Sequence, residues 1–301
     1  MKPRQANRPN LRAAALVADE GTAGEGPLPA REPMPPRKVA GENDFPEAID
    51  PRPSSVPSGR KYLYAVVPES QELRYNAVGI VDSDVYTITH GRLSMVVSDF
   101  RQPRLRPERR NLLAHQGVLK RLMAETTLLP VSFGMIADSP AAVSKVLKAN
   151  EQTLMAQLAR ISGKVEMGLR VTWDVANIFE YFVQKHDDLR RMRDEFFAAD
   201  REPAQEERLE IGRLFERLLQ EDRRTCFKKI ERVLGSCCEI RENKCRNENE
   251  VISLACLAES NDLRGFESSV LQAARLFDDS FSFDYNGPWP PYSFVELNLK
   301  F

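Results

Sequence analysis

The chain has 301 residues, of which 42% are apolar, and a formal net charge of −1 at pH 7. This length and composition suffice for the packed cores of about two ordinary domains, and the balanced charge argues against binding to nucleic acid or an anionic membrane. No apolar run approaches the length of a membrane span, and the apolar stretch at residues 11–18 has no cleavage region behind it. We therefore expect a cytoplasmic protein that does not contact a membrane.

Proline dominates residues 1–59, which hold 11 of the 20 prolines and a single aromatic residue, Phe45. Eight basic and eight acidic residues balance each other there. Such a segment buries too little apolar surface to offset the entropy that is lost on ordering. We predict that residues 1–59 form a disordered, proline-rich extension that is dispensable for folding.

Strand and helix patterns alternate over residues 60–174, which we assign to a first domain. Its strands are predicted at residues 62–67, 85–89, 93–97, 128–133 and 165–173. Its helices are predicted at residues 107–125, with an apolar stripe of Leu112, Leu119, Leu122 and Met123, and at residues 139–161, with Ser139 as the N-cap and Pro140 after it. The order β-β-β-α-β-α-β predicts one compact sheet with helices on one face, an α+β fold that is a variant of the ferredoxin-like arrangement.

A second α+β domain is predicted over residues 175–286, with helices packed on a small sheet. Helical patterns cover residues 175–198, 203–234 and 262–277. Strand patterns cover residues 237–241, 251–257 and 281–285. The apolar stripe of the long helix is interrupted at residues 222–224, which predicts a kink or a change of packing partner there.

The last residues, 287–301, form a separate arm whose composition excludes a helix. The arm begins with a run of prolines and aromatic residues: Gly287, Pro288, Trp289, Pro290, Pro291, Tyr292, Ser293 and Phe294. Because proline fixes φ and pushes the preceding residue toward extended geometry, this run is predicted to be stiff and extended. Alternation of apolar and polar residues over 295–301 predicts a final strand. We expect the arm to dock on its own domains with Trp289 and Tyr292 as rigid anchors, because an exposed apolar strand would aggregate.

The sequence shows little that could carry catalysis or hold a metal. Three histidines lie far apart, and the five cysteines lack zinc-site spacings. His115 falls on the apolar face of its helix, which favours a hydrogen-bonded core histidine over a catalytic base. The arginine-rich segment 101–110 is interpreted as a solvated loop and helix start, with contact to an acidic surface as the alternative. We expect no enzymatic activity, no cofactor and no metal.

Several segments, in the right order from Lys61 to Phe301, resemble the gas vesicle GvpL/GvpF family. The arm is similar to the C-terminal signature of the family, and the segment Leu129–Gly134, which contains Pro130 and Phe133, is similar to its LPxxFG motif. Weaker similarities are found at residues 91–98, 112–115 with 118–119, and 284–286. The resemblance implies two α+β domains, and it implies structural roles for His115, Pro130, Phe133 and Gly134. Residues 1–59 have no counterpart in it.

The resemblance also implies a function. It implies a minor component of the gas vesicle that acts in vesicle assembly or nucleation, binds the shell protein GvpA and prevents its aggregation. Other gas vesicle accessory proteins are further candidate partners, and the implied location is the gas vesicle. The alternative from the residues alone is a small-molecule-binding or catalytic ferredoxin-like protein. The sequence leaves open the oligomeric state, the surface that binds the shell protein, the stoichiometry, and whether the chain is an F or an L paralogue.

Overall fold

The computed structural model of the chain describes residues 10–13, 59–69, 75–102, 104–198 and 204–297, all within one compact unit. Its strands are β1 Asn10–Ala13, β2 Lys61–Pro68, β3 Tyr75–Val78, β4 Asp84–His90, β5 Leu93–Asp99, β6 Leu129–Pro130, β7 Ile136–Ala137, β8 Lys164–Trp173, β9 Glu239–Asn243, β10 Glu250–Glu259 and β11 Phe281–Trp289. Its α-helices are α1 Arg109–Glu125, α2 Pro140–Ile161, α3 Ile178–Lys185, α4 Asp187–Ala198, α5 Gln205–Leu234 and α6 Leu263–Ala274. Two single 3-10 turns are formed by Ile80–Asp82 and Tyr292–Phe294. The predicted mixture of helix and sheet is thus confirmed.

The first sheet has the order β3-β4-β5-β2-β6, with β7 also paired to β2. The predicted hairpin between β4 and β5 is confirmed, and Gly91 provides the positive φ of +59° at its turn. Apolar side chains leave both faces of β2: Tyr62 and Tyr64 share a core with α1, whereas Leu63 shares a core with α2. The prediction that both helices cover one face is therefore wrong, because a strand that is apolar on both faces must be covered on both.

The second sheet has the order β1-β11-β8-β10-β9. β8 runs antiparallel to β10 and to β11, and three helices, α3, α4 and α5, lie between β8 and β9 in the chain. The prediction that β8 joins the first sheet is therefore wrong, because β8 is the middle strand of the second sheet. The alternating burial of β8 was readable from its sequence, but alternation does not reveal which strands lie beside it.

Helix α2 lies between the two sheets and contributes to one core with both. Leu147, Leu154 and Leu158 of α2 pack in a cluster that also contains residues of the first sheet and Ala255 and Leu257 of β10. The opposite face of the second sheet packs against α3, α5 and α6 in a separate cluster. Each fully buried leucine contributes about 1.5–3 kcal/mol, so α2 stabilises both sheets at once.

Several helix boundaries follow from local chemistry. The Ser139 hydroxyl accepts a hydrogen bond from the Ala142 amide at 3.1 Å, which confirms the predicted N-cap of α2. The predicted helix over 175–198 is two helices, α3 and α4, because His186 adopts extended geometry between them. Helix α5 is continuous for 30 residues, so the predicted interruption at 222–224 does not break it. None of the described helices is long and apolar enough to cross a membrane.

The N-terminal extension contributes one strand. Residues 10–13 pair with β11, so the prediction of disorder is wrong for these residues. The predicted disorder of the remaining extension falls outside the described residues, apart from Gly59.

Candidate functional site

The C-terminal arm follows directly from β11, which extends to Trp289 beside Glu166 of β8. Gly287 has a φ of +133°, and a Cβ atom there would lie 2.7 Å from the Met167 Sδ atom and 3.0 Å from the Glu166 carbonyl oxygen. Only glycine therefore fits at this position, where the arm lies against β8. After two buried prolines the chain makes the 3-10 turn Tyr292–Phe294, so the run predicted to be extended is extended only in its first part.

A chain of hydrogen bonds connects the arm to α1 and to the first sheet. The Tyr62 hydroxyl lies 2.9 Å from His115 Nδ1, and His115 Nε2 lies 3.0 Å from the Tyr292 hydroxyl. The Tyr62 hydroxyl also accepts a bond from the Gly134 amide at 3.2 Å, and the Tyr292 hydroxyl points to the Val131 carbonyl at 3.5 Å. Four segments that are distant in sequence meet at His115.

The environment of His115 keeps its imidazole neutral. The side chain is 1% exposed, its ring stacks on Tyr64 at 5.6 Å, and it meets the Phe133 ring edge-on at 5.7 Å. Burial lowers the pKa of His115 to about 4. A neutral ring that accepts from Tyr62 at Nδ1 and donates to Tyr292 at Nε2 uses both nitrogens. This geometry suits a structural connector and leaves no nitrogen free for proton transfer to a substrate.

A second set of polar contacts fixes the arm to the second sheet and to α2. Glu166 of β8 accepts two hydrogen bonds from Ser293, one from the amide at 2.7 Å and one from the hydroxyl at 2.8 Å. Arg241 of β9 donates to the Ser293 carbonyl at 2.6 Å and lies 5.1 Å from the ring centroid of Phe294. Arg160 of α2 donates to the Phe294 carbonyl, and the Phe294 ring is completely buried. Charged partners make these bonds stronger than neutral ones.

The chain after the 3-10 turn lies along α2. Gln157 and Glu296 exchange two hydrogen bonds of 2.8 Å, and Val295 and Leu297 pack against the core around α2. Residues 295–297 belong to no strand, so the predicted terminal strand is wrong for them, because side-chain contacts with α2 replace ladder pairing. Residues 298–301 of that prediction lie outside the described residues.

Trp289 differs from the rest of the arm. Its side chain is 48% exposed, and the indole N–H donates to Asn286 Oδ1 at 2.7 Å. Of the two predicted anchors, Trp289 is therefore the wrong one. Asn286 on the same strand satisfies its polar group, so the ring does not need a partner in the core. Tyr292, the other predicted anchor, contacts His115, and Phe294 is completely buried.

The other motif residues lie around the same point. Pro130 is buried in the two-residue strand β6 at the end of the first sheet, and Phe133 packs against the cluster that contains Tyr62. Gly134 has a φ of +93° and donates its amide to Tyr62. The structure thus brings together residues that the sequence placed in separate motifs. Sequence reasoning missed the partners Tyr62, Arg160, Glu166 and Arg241, because nothing in their local patterns marks them.

The outer face of α1 is apolar and basic. Leu112 and Leu113 are 41% and 60% exposed, whereas the predicted stripe has Leu112 inside. The predicted inward position of Leu112 is therefore wrong. The buried positions of the helix are held by Asn111, His115, Val118, Leu119 and Leu122. Residues 101–125 contain seven basic and two acidic residues, against a net charge of −1 for the whole chain. Among the described contacts, the acidic pair is engaged by Arg110 and Arg121.

A strained turn adjoins this helix. Val81 in the turn Ile80–Asp82 has a φ of 57°, a conformation that is costly for a β-branched residue, and it is 41% exposed. The Ile80 amide donates to the Tyr64 hydroxyl at 2.7 Å, which holds the turn in place. α1 packs against this turn and against β3, where Val78 is 67% exposed. Apolar side chains are thus presented to solvent along both elements.

Within the part of the chain that the structure describes, the buried thiols and the surface depressions lack the features of a reaction site. Burial raises the pKa of Cys226 to about 11, and the hydrogen bond with Cys256 together with burial raises the pKa of Cys238, so both thiols are protonated at neutral pH. No group of three metal-ligating side chains occurs among the described residues. The depressions along α4 and α5 are open and lined mainly by charged side chains, unlike the apolar pockets that hold small molecules.

The chain is similar to known gas vesicle proteins over most of its length. It is 24% identical over 241 residues to gas vesicle protein F of Dolichospermum flosaquae, covering 79% of this chain and 98% of that one. It is 27% identical over 241 residues to gas vesicle protein F of a Streptomyces species, covering 78% and 99%. It is 24% identical over 270 residues to gas vesicle protein L1 of Halobacterium salinarum, covering 80% and 92%.

Solved structures share the fold. The crystal structure of GvpF from Anabaena superposes with a TM-score of 0.69 at 24% identity, covering 80% of this chain and 100% of that one. GvpF from Microcystis aeruginosa gives 0.66 at 23% identity, covering 79% and 99%. The family model described as gas vesicle synthesis protein GvpL/GvpF matches residues 60–296. The chain therefore belongs to the GvpL/GvpF family and has an accessory role in gas vesicles.

Proposed function

We propose that this protein is a non-enzymatic assembly factor that binds the shell protein GvpA, keeps it from aggregating, and remains as a minor component of the gas vesicle. A subunit that forms an apolar, gas-facing wall exposes that apolar surface until it is assembled. A protein that covers this surface lowers the concentration of aggregation-prone subunits. The nucleation of new vesicles and contacts with other accessory proteins fit the same role.

The exposed leucines on the outer face of α1 support this proposal. Leu112 and Leu113 are adjacent and exposed on a helix whose opposite face is buried. Apolar side chains surrounded by basic ones suit a partner segment that is apolar and acidic. The arm contributes indirectly, because Tyr292 bonds to His115 on the inner face of the same helix. The arm is thus proposed to position α1, and α1 is proposed to bind the shell protein.

The test is a pull-down of co-expressed GvpA with matched double variants. Leu112→Ser/Leu113→Ser removes the proposed contact, whereas Leu271→Ser/Leu276→Ser removes two leucines that are 44% and 49% exposed elsewhere. Because buried anchors at interfaces each contribute about 1–2 kcal/mol or more, the first variant should lose about tenfold or more of its affinity. The control should bind like the wild type, and both variants should melt within about 2 °C of it.

Equal binding by the two double variants would contradict the assignment of the surface to α1. No binding of GvpA by the wild-type chain would contradict the proposed function itself. Trp289→Ala is a useful third variant, because Trp289 is 48% exposed and is the second candidate for direct contact. Loss of binding in Trp289→Ala with an unchanged melting temperature would assign the GvpA contact to the arm instead of α1.

A further inference from the structure

The outer edge of β11 is covered by a strand from the N-terminal extension. β1 runs parallel to β11, with Asn10 opposite Ser282 and Ala13 opposite Tyr285. Within the described residues, β11 pairs on its other side with β8, and β1 is the last strand of the sheet. β1 therefore pairs with backbone groups that β11 would otherwise present as an open edge.

This strand lies outside the region that the chain shares with its family. The family match covers residues 60–296 and so includes β11 but not β1. The Anabaena GvpF structure is matched over its whole length by 80% of this chain. The edge is therefore a feature of the shared fold, whereas the segment that covers it is an addition in this chain.

The register of the pairing matches the sequence of both strands. Leu11 lies opposite Phe283, which is completely buried, and Arg12 lies opposite Asp284. A slip of one residue would instead pair Asn10 or Arg12 with the buried Phe283. An apolar residue followed by a basic one is thus the sequence that lies along this edge.

We propose that the outer edge of β11 is a strand-binding site for a short extended segment that alternates apolar and basic residues, and that this chain fills the site with its own residues 10–13. The occupied edge is closed to pairing with a second chain. A strand of four residues binds weakly by itself. The 47 residues between β1 and β2 connect it to the same molecule, which supplies an effective concentration on the order of millimolar.

Hydrogen exchange on the full-length chain tests this site. Leu11→Pro/Arg12→Pro removes two of the four backbone amides of β1 and so disrupts its pairing, and Thr22→Pro/Ala23→Pro is the control outside the strand. In the first variant the β11 amides that face β1 should exchange about tenfold faster or more, while those bonded to β8 keep their rates. Equal exchange of β11 in both variants would show that β1 does not occupy the edge, and the proposal would be wrong.

Two further measurements test the register and the binding. Arg12→Asp, which places an acidic residue opposite Asp284, should accelerate exchange of β11 by about two- to fivefold. A synthetic peptide of residues 7–16, added at about 1 mM to the proline variant, should restore slow exchange at the β11 edge. Exchange at the wild-type rate in Arg12→Asp would contradict the register, and a peptide without effect would contradict a binding site.

Discussion

Two parts of the arm, Trp289 and the turn Tyr292–Phe294, differ in what they contact, although both are aromatic. Trp289 is 48% exposed, and within the described residues its indole bonds to a neighbour on its own strand. Residues 292–294, a few positions later, bond to α1, to α2 and to β9 of the second sheet. Ring size is a poor guide to which residue holds a segment. Charged and hydrogen-bonding partners on several surrounding elements determine which residues hold the arm in place.

Phe294→Ala should give the largest loss of stability. Its ring is completely buried in the core around α2, and truncating such a ring costs about 3–5 kcal/mol through lost burial and the cavity left behind. Chemical denaturation with urea measures this difference. A cost below about 1 kcal/mol would show that the buried end of the arm is not its anchor.

The His115 connector should make stability depend on pH. Its folded pKa of about 4 lies below the ordinary value of 6.5, so the unfolded chain takes up the proton first as the pH falls. The contribution of His115 to stability should be constant above about pH 7 and fall between pH 6.5 and 4, with a loss of about 2 kcal/mol by pH 5.

Comparison with His115→Gln separates this contribution from that of other groups. The variant should be less stable at pH 7.5, and it should lose about 2 kcal/mol less than the wild type between pH 7.5 and 5. Denaturation curves at both pH values provide the measurement. Parallel pH profiles of the two proteins would contradict a buried, neutral His115.

Glu166→Gln should have an intermediate effect. The variant keeps the size of the side chain but replaces the charged acceptor of the two Ser293 bonds, which should cost about 1–2 kcal/mol. Thermal unfolding measures the loss, and Glu259→Gln, at the exposed end of β10, is a matched control. Equal melting of the two variants would show that the two bonds from Ser293 to Glu166 do not stabilise the arm.

Trp289→Ala should give the smallest effect. Because half of the side chain is exposed, we expect a cost of about 1 kcal/mol or less, clearly below that of Phe294→Ala. The same urea denaturation compares the two variants directly. A cost as large as that of Phe294→Ala would show that Trp289 anchors the arm as strongly as Phe294 does.

Local patterns predicted local structure well. The β4–β5 hairpin, the Ser139 cap and the alternation of β8 all follow from residues close in sequence. Long-range pairing was not predictable in this way. Nothing within residues 164–173 indicates that they pair with β10 and β11 instead of the first sheet. A strand pattern specifies a face and a period, but not its neighbours.

In the candidate site, too, local features were predictable and long-range contacts were not. The apolar spacing around His115 correctly predicts a buried histidine. It also predicts a buried Leu112, because it assumes that only apolar residues occupy the inner face of α1. Asn111 takes the inner position, since its amide donates to the Arg106 carbonyl at 3.0 Å. The partners of the arm on β8, β9 and α2 are single polar or charged residues on otherwise ordinary elements. Their roles depend on tertiary neighbours that no local pattern specifies.

We expect the Tyr292–Phe294 turn of the arm, and not Trp289, to hold α1 in position. Native-state hydrogen exchange of the α1 amides at residues 109–125 tests it most directly, in Tyr292→Ala and Trp289→Ala side by side, with Tyr292→Phe as a milder variant. We predict exchange about tenfold faster or more in Tyr292→Ala, a smaller increase in Tyr292→Phe, and the wild-type rate in Trp289→Ala. Unchanged α1 exchange in Tyr292→Ala, or equal acceleration in the tryptophan variant, would contradict the account.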